Sequence, residues 1–345
     1  MAEAVRTVND PTFQTTAAAA VAAVGATQVE LAEAVVITLS PTSSPTASPT
    51  LSPTRPDACT LLTSDVFSSV APSASAPYSH AGLCTAINNW NAANPDNQIF
   101  MDGTELVRKH EISAFLGNVL HESGDLVHPR EITQCGTNVD VGGTLHCQPS
   151  GYTSNQGAYS DPYCSSSHST TTTPKGCDCS AVDEVAGSGY EAKKLFFGRG
   201  PIQLSWNYNY IDAGSALDVN LCANPDLVAT DEAVAWGTAI WFWMTQGSPT
   251  PHESVVIRGQ FGGTLKAING GNECPAASGF SSSVASRLDD YCRAATQLGV
   301  NVLLSFAGCD GLQAAFNTCV EGTSSSCSNC MVWEGVTLPP TSCEL

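Results

Sequence analysis

The stretch DEAVAWGTAIWFWMT, residues 231–245, is apolar over almost its whole length. Asp231 and Glu232 stand where the first turn of a helix favours acidic side chains, and Gly247 and Pro249 follow where a helix would stop. The apolar side chains between them would cover every face of that helix. Because a helix that is apolar all round is buried, the stretch predicts a central helix around which the rest of the chain packs.

Two more helices are predicted from apolar residues at helical spacing. Residues 284–298 carry one apolar seam, which follows a possible serine cap at 281–283. The second seam, within residues 105–121, consists of Ile112, Phe115, Leu116, Val119 and Leu120. Alternating strand patterns are scarce, so we expect a mainly α fold.

The charge of the chain limits its partners. Its 345 residues include 32 acidic and 13 basic side chains, which give a formal net charge of −19. Such a surface repels nucleic acid phosphates and anionic membrane surfaces, so we expect neither as a partner. No run of about eighteen apolar residues occurs, so no segment is expected to span a bilayer. A neutral or weakly cationic polysaccharide is compatible with this charge.

Fifteen cysteines indicate disulfides rather than metal ligands. Zinc sites combine paired Cys-x-x-Cys motifs, whereas this chain offers Cys327-x-x-Cys330 and the closer Cys177-x-Cys179. We therefore expect no metal. Disulfides persist in oxidising compartments, which predicts a secreted protein, although residues 17–26 make a poor signal peptide because acidic residues precede them.

Biased segments divide the chain. Residues 40–56 repeat Ser-Pro-Thr, and such a segment stays extended because proline fixes φ and no apolar face is present. Residues 1–57 are therefore interpreted as a leader and linker. Residues 136–190 combine cysteines with serine and threonine runs, which predicts a long, disulfide-stapled loop region of the kind that walls a cleft. Residues 310–345 are interpreted as a cysteine-rich C-terminal extension.

Glu122 ends the helix predicted at residues 105–121. At 100° per residue it projects within about 20° of Phe115, on the apolar side, where loss of hydration favours the neutral carboxyl group. A carboxylic acid kept neutral can protonate a glycosidic oxygen. The preceding His121 also suggests the zinc motif His-Glu-x-x-His, but Asp125 stands in place of the second histidine, so that motif fails. An acid at a helix end, half in solvent, is the plain alternative.

Residues 197–210 read FGRGPIQLSWNYNY and combine amide, hydroxyl and aromatic side chains, the set that holds a sugar. Gly198 and Gly200 allow the backbone to approach closely, and Pro201 stiffens the turn. Such polar side chains can instead satisfy buried backbone groups, but their density here favours a binding surface.

The His121-Glu122 segment and residues 197–210, in this order and spacing, resemble glycoside hydrolase family 19, the plant-type chitinases. The resemblance covers roughly residues 58–309. It implies a lysozyme-like α-helical catalytic domain with long disulfide-stapled loops, in which Glu122 is the general acid. It also implies an endo-acting, inverting hydrolase of β-1,4 N-acetylglucosamine linkages in chitin or chito-oligosaccharides, without a cofactor. We expect a monomer.

An inverting glycosidase needs a second carboxylate about 6.5–9.5 Å from the acid, with room for a water between them. Asp125 is expected one turn further along the helix of Glu122 and pointing with it. Glu131 lies beyond Pro129, which stops the helix and lets the chain fold back. It also follows the acid by nine residues in a Glu-Ile context, as in shorter family members. We therefore expect Glu131 as the base. Longer members use a later loop, so four other acids stay open: Asp140, Asp161, Glu184 and Glu191.

The resemblance also assigns contacts with sugar or with the nucleophilic water to Gln203, Ser205 and Asn209, and it places Tyr208 along the cleft. Ser205 would hold that water against Glu131, because a weak base needs its water positioned.

A third segment, INGGNEC at residues 268–274, resembles the family's Ile-Asn-Gly-Gly-x-Glu-Cys. The resemblance implies that Asn269 binds the acetamido group of the sugar and that Glu273 and Arg287 form an ion-pair network with the acid. A buried arginine between two carboxylates would fix their geometry and favour their charged forms, against the effect of burial on Glu122. A plain structural salt bridge between Glu273 and Arg287 is the alternative.

Family order further suggests three disulfides, namely Cys84–Cys135, Cys147 with a cysteine of the 164–179 group, and Cys274–Cys309.

Two other functions stay open. One is a chitin-binding, lectin-like protein that has lost turnover, against which the presence of Glu122 and of residues 203–209 argues. The other is hydrolysis of peptidoglycan, since lysozyme-like folds share the two-carboxylate arrangement.

Overall fold

The computed structural model describes residues 57–131, 196–274, 281–314 and 317, together with the backbone of four strands between residues 135 and 193. The helices are α1 (Ala58–Leu61), α2 (Ser64–Val70), α3 (His80–Ala93), α4 (Glu105–Ser123), α5 (Asn207–Ala216), α6 (Leu227–Thr230), α7 (Glu232–Thr245), α8 (Pro251–Val256), α9 (Phe261–Glu273) and α10 (Ser282–Gln297). The strands β1 (Cys135–Val141) and β2 (Thr144–Pro149) pair antiparallel, as do β3 (Ala181–Glu184) and β4 (Glu191–Lys193). Helices dominate, so the predicted mainly α fold is confirmed.

Helix α7 forms the centre of the core, as its composition predicts. The side chain of Asp231 caps its first turn, and every residue from 235 to 244 is buried. Helix α7 packs on α3, and its Trp236 and Trp243 lie against the ring of Phe115 on α4, with ring centroids 6.3 and 5.4 Å away. Because a buried aromatic side chain contributes about 1.5–3 kcal/mol or more, this cluster anchors α4 to the core.

Helices α4 and α10 pack along each other and approach closely at Gly117. A Cβ atom at this position would lie 2.7 Å from the backbone nitrogen and Cα of Tyr291, which no side chain can tolerate. Glycine therefore allows the two backbones to touch. The contact brings the last turn of α4, which carries Glu122, beside the middle of α10.

Helix α4 ends within one residue of the predicted end at Glu122, but not for the predicted reason. The helix stops at Ser123 because Gly124 adopts the left-handed conformation, with φ of 59°, and bonds back to the last turn. The predicted stop at Pro129 is therefore wrong. Asp125 lies outside the helix, with φ of 60°, and pairs with Arg293 of α10. The prediction that Asp125 continues the helix of Glu122 is therefore also wrong.

Two disulfides have both of their cysteines among the described residues, and Cys222 and Cys292 are also disulfide-bonded. Cys274 bonds to Cys309, which confirms that predicted pair. Cys84 bonds to Cys59, so its predicted pairing with Cys135 is wrong. The reason is that α1 packs on α3 and brings the two Cα atoms to 5.9 Å. Outside the described side chains lie Cys135, Cys147 and the cysteines of residues 164–179.

The predicted linker in residues 1–57 and the extension at 310–345 fall almost entirely outside the described residues. Among the helices that are described, none is both long enough and apolar enough to cross a membrane.

Candidate active site

Glu122 lies in the last turn of α4, one residue before the helix ends. Its side chain is 10% exposed, and its Oε1 forms an ion pair with Nη2 of Arg287. The partner comes from α10, 165 residues further along the chain. The carboxyl group is thus fixed by a remote element while part of it still meets solvent.

Arg287 is buried, with 1% of its side chain exposed, and each nitrogen of its guanidinium has a partner. Nε and Nη2 donate to the two carboxylate oxygens of Glu273 at 2.9 Å each, and Nη1 donates to Oδ1 of Asn118 at 3.3 Å. Burial disfavours the charged guanidinium, but the carboxylates of Glu122 and Glu273 outweigh it and raise the pKa of Arg287. The arginine therefore stays cationic and holds both acids.

Glu273 connects this network to the break in α9. The helix is interrupted at Asn269, where φ is −142° and ψ is 35°. The Asn269 amide donates to Oε1 of Glu273 at 2.9 Å and accepts a hydrogen bond from Asn272 at 3.0 Å. The structure thus brings the predicted residues Glu122, Arg287, Glu273 and Asn269 into one connected set.

Glu131 is held by the backbone of the segment at residues 197–210. It is 4% exposed, and its amide donates to the carbonyl of Gly198 at 2.9 Å. The amide of Gly198 donates in return to Oε2 of Glu131 at 3.3 Å. An antiparallel bridge between Arg130 and Arg199 continues this pairing. The predicted second carboxylate therefore lies against the segment at residues 197–210.

A tight turn joins the two carboxylates. Residues 124–126 are left-handed in succession, with φ of 59°, 60° and 58°, a conformation that residues other than glycine seldom adopt. The hydroxyl of Tyr78 donates to the carbonyl of His128 at 3.0 Å and fixes the next part of the connection. The chain is thereby carried from the end of α4, at Glu122, to the irregular segment that pairs with Glu131.

Gly198 brings Gln203, Ser205 and Glu131 to one place. A Cβ atom on Gly198 would lie 2.8 Å from Oε1 of Gln203 and 3.4 Å from Oγ of Ser205. Gln203 Nε2 donates to the carbonyl of Gly200 at 3.0 Å, and Ser205 Oγ donates to the carbonyl of Gln203 at 2.9 Å. Because Gly198 also bonds to Glu131, the hydroxyl and the carboxylate share one glycine neighbour.

Asn209 and Tyr208 lie in the first turn of α5. Asn209 is buried and donates from Nδ2 to the carbonyl of Ser205 at 2.8 Å. Tyr208 is half-buried, and this burial raises the pKa of its hydroxyl. Both predicted binding residues therefore adjoin the segment that carries Ser205.

A family model described as Chitinase class I, glycoside hydrolase family 19, matches residues 131–307, just over half of the chain. The chain belongs to glycoside hydrolase family 19. Two curated relatives are Chitinase 1 of Oryza sativa subsp. japonica, 34% identical over 225 residues, and Endochitinase CH25 of Brassica napus, 36% identical over 227 residues. Each alignment covers 61% of this chain and 60% of the relative, so the chain spans about 60% of the length of these relatives.

Two solved structures support the same assignment. Chitinase C from Streptomyces griseus HUT6037 is 33% identical, with a TM-score of 0.50, over 69% of this chain and 93% of that one. A bacterial family 19 chitinase is 34% identical, with a TM-score of 0.50, over 70% of this chain and 96% of that one. The predicted family and the lysozyme-like, mainly α fold are therefore confirmed.

Trp206 is a residue of this family 19 site that sequence reasoning missed. Its ring stacks on that of Tyr208, with centroids 5.8 Å apart and planes at 22°. Its φ of 77° is left-handed, so the backbone turns sharply just before α5. An aromatic residue within a polar sugar-binding motif was the available signal, because aromatic faces pack against sugar rings.

Asp226 was also missed, and no local signal points to it. Its carboxylate accepts from Nε of Arg130 at 2.9 Å and from Nε of Arg199 at 3.1 Å. Burial, which raises its pKa, is the largest influence, but the two arginines outweigh burial and lower the pKa overall. Asp226 thus ties together the two strands of the bridge beside Glu131.

His121 stays neutral near neutral pH. Burial, together with the smaller effect of the charge of Arg287, lowers the pKa of His121 to about 3. Among the described residues, no three or more His, Cys, Asp or Glu side chains are grouped so that they could hold a metal ion. The other candidate bases have side chains outside the described residues: Asp140, Asp161, Glu184 and Glu191.

Proposed function

We propose that this family 19 chain is an endo-chitinase that hydrolyses β-1,4 N-acetylglucosamine linkages with inversion. Glu122 is the general acid and Glu131 the general base. The observation that supports this most is that two largely buried carboxyl groups are held by different elements of the fold. Arg287 of α10 holds Glu122, and the backbone of Gly198 holds Glu131.

The acid donates its proton to the glycosidic oxygen as the bond breaks. Glu122 has 10% of its side chain exposed, which gives the leaving-group oxygen access to it. Arg287 binds Oε1, so the orientation of the carboxyl group is set before the substrate arrives.

The base removes a proton from a water that attacks the anomeric carbon. Ser205 Oγ donates its own proton to the carbonyl of Gln203, and its oxygen can therefore accept a hydrogen bond from the water. The water would then give one hydrogen bond to Ser205 and the other to Glu131. This arrangement aims the lone pair of the water at the sugar.

The amide of Asn269 suits the acetamido group of the sugar. A side-chain amide has two donor hydrogens and an oxygen with two acceptor positions. Glu273 takes one hydrogen and Asn272 one acceptor position, which leaves one of each for a second amide. Gln203, Tyr208 and Asn209 line the same cleft.

We also propose that chitin or chito-oligosaccharide is the substrate and that the protein acts as a secreted monomer without a cofactor. The net charge of −19 suits a neutral or weakly cationic polymer, and the disulfides suit an oxidising compartment. In this proposal residues 58–309 are the catalytic domain, residues 1–57 a leader and linker, and residues 310–345 an extension.

The test is hydrolysis of chitin hexamer with the anomers of the first products resolved by NMR. The expected first product is the α-anomer, because a water between two separated carboxylates inverts the configuration. A β-anomer would contradict inversion. Binding without products would favour the lectin-like protein, and turnover of peptidoglycan fragments alone would favour the other hydrolase.

A further inference from the structure

The amide of Asn118 is fixed in one orientation by partners on both sides. Asn118 is buried in α4, one turn before Glu122. Its Nδ2 donates to the carbonyl of Ala114 at 2.8 Å and to the hydroxyl of Thr264 at 3.0 Å, while its Oδ1 accepts from Arg287 at 3.3 Å. Because the amide nitrogen only donates and the oxygen only accepts, one of the two possible orientations satisfies all three contacts.

Thr264, on α9, sets the direction of these hydrogen bonds. Its hydroxyl donates its single proton to the carbonyl of Phe261 at 2.7 Å. Towards Asn118 it can therefore act only as an acceptor. Asn118 and Thr264 are both 0% exposed, so water does not compete for these groups. A directed chain thus runs from Arg287 through Asn118 and Thr264 to the backbone of α9.

The guanidinium of Arg287 is held at two places. Glu273 binds the edge formed by Nε and Nη2, and Asn118 binds the remaining nitrogen, Nη1. Because a guanidinium is planar and rigid, contacts at all three nitrogens fix both its plane and its rotation. The position of Nη2, which binds Glu122, follows from them.

We infer that Asn118 and Thr264 are positioning residues for the acid: they hold the Arg287 guanidinium in the rotation that presents Nη2 to Glu122. This inference rests on the proposed role of Glu122 as the general acid. Neither residue touches the substrate in this account. They act through Arg287, so their loss loosens the geometry of the acid without removing a substrate contact.

Thr238 supplies a matched comparison for Thr264. It is also 0% exposed in a helix, and its hydroxyl also donates to the carbonyl three residues earlier, that of Ala235, at 2.8 Å. It belongs to α7 and has no bond to the arginine network. Thr238→Val therefore shows how much kcat changes when a buried helical hydroxyl is lost without any effect on the arginine network.

The kinetic test compares Thr264→Val, Thr264→Ser and Thr238→Val on chitin hexamer. Valine keeps the shape of threonine and loses the hydroxyl, whereas serine keeps the hydroxyl. In Thr264→Val we expect kcat to fall about three- to tenfold, the scale of one hydrogen bond, with KM unchanged. Thr264→Ser and Thr238→Val should stay near the wild-type kcat. Equal kcat values for Thr264→Val and Thr238→Val would overturn the inference.

A second measurement does not depend on turnover. At low temperature, the Nη protons of Arg287 should give separate NMR signals, because its contacts slow rotation about the Nε–Cζ bond. The signals should average in Thr264→Val and stay separate in wild type, Thr264→Ser and Thr238→Val. Signals that stay separate in Thr264→Val would overturn the inference, whether or not the wild type cleaves chitin. Failure of the wild type to cleave chitin would count against the proposed function alone.

Discussion

The two carboxyl groups of the site are held by opposite means. Glu122 projects from a regular helix and is fixed by the side-chain charge of Arg287. Glu131 lies on irregular backbone and is fixed by the main chain of Gly198. We call Glu122 and Arg287 with their neighbours the acid side of the proposed site, and Glu131 and Gly198 with theirs the base side. The acid side depends on buried charge. The base side depends on the shape of the backbone and on the space that a glycine leaves.

The numbers of carboxylates and guanidinium groups around Glu122 and near Glu131 are also reversed. On the acid side two carboxylates, Glu122 and Glu273, share the single guanidinium of Arg287. Behind the base, two arginines share the single carboxylate of Asp226. The net charge of the surroundings therefore differs in sign, with one carboxylate in excess around Arg287 and one guanidinium in excess around Asp226.

The largest expected effect is that of Glu122→Gln. The amide keeps the shape of the side chain but has no proton to give, so kcat on chitin hexamer should fall about 10²–10⁴-fold. Thermal unfolding should change little. Glu105→Gln, at the exposed start of the same helix, is the control and should keep full activity. More than about 1% residual activity in Glu122→Gln would place the acid elsewhere.

The next effect in size is that of Glu131→Gln. We expect kcat to fall about 10²-fold with little change in KM, because activation of the water matters only in the transition state. Azide should restore part of the rate, since it attacks without a base.

The controls for this variant are Glu184→Gln and Glu191→Gln. These acids stand at the end of the long loop region and represent the alternative position of the base. Both variants should be near normal. If either were as damaging as expected for Glu131→Gln, while Glu131→Gln kept its activity, the base would lie in the loop and the backbone contacts of Glu131 would be structural.

The acid side was predictable where local signals exist. Caps and apolar spacing placed α4, α7 and α10 within a few residues of their observed bounds. The contact of Glu122 with Arg287 has no local signal, because it joins residues 165 positions apart, and it was expected from the family resemblance alone. Asn118 of α4, which accepts from that arginine, and Thr264 of α9, which accepts from Asn118, were not predicted at all.

The base side was harder to predict, because irregular backbone follows no period. The sequence does not predict the left-handed turn at residues 124–126, and it places the helix stop at Pro129 instead. The steric effect of Pro129 can be read from the sequence. The left-handed conformation of Asp125 and Leu126 cannot, because it depends on contacts that form on folding. The prediction of Glu131 rests on family spacing and on a fold-back of the chain at Pro129.

A smaller effect is expected for Gly198→Ala, which tests the shape dependence of the base side. The new methyl group would lie 2.8 Å from Oε1 of Gln203, so that side chain must shift, next to Ser205, whose Oγ would lie 3.4 Å from the methyl group. We expect kcat to fall about tenfold, because displaced positioning groups lose that scale of rate. Gly237→Ala is the control. Its methyl group would meet the mobile end of Leu217 at 3.1 Å, and kcat should be normal.

The smallest expected effect is a change in the free energy of unfolding with pH. It tests how far the acid side depends on buried charge. Glu111, on α4, is 0% exposed and accepts from Trp243 at 3.0 Å and from Nδ1 of His252 at 2.6 Å. His252 Nε2 also lies 3.3 Å from the carboxylate of Asp102. Burial is the largest influence and disfavours the imidazolium, but the two carboxylates together outweigh it and raise the pKa of His252.

A raised pKa means that the folded protein binds this proton more tightly than the unfolded chain does. The resulting stabilisation is complete below about pH 6.5 and is lost as the pH rises through the folded pKa of His252. Urea unfolding should therefore show that the free energy of unfolding falls by about 1 kcal/mol over that window, the scale of one hydrogen bond. The fall should be absent in His252→Gln. It should persist in His110→Gln, because burial lowers the pKa of His110 to about 4 and keeps that ring neutral throughout the window. If the free energy of unfolding still fell with pH in His252→Gln, the negative charge of Glu111 would be balanced by groups other than His252. Buried charge on the acid side would then matter at Glu122 alone.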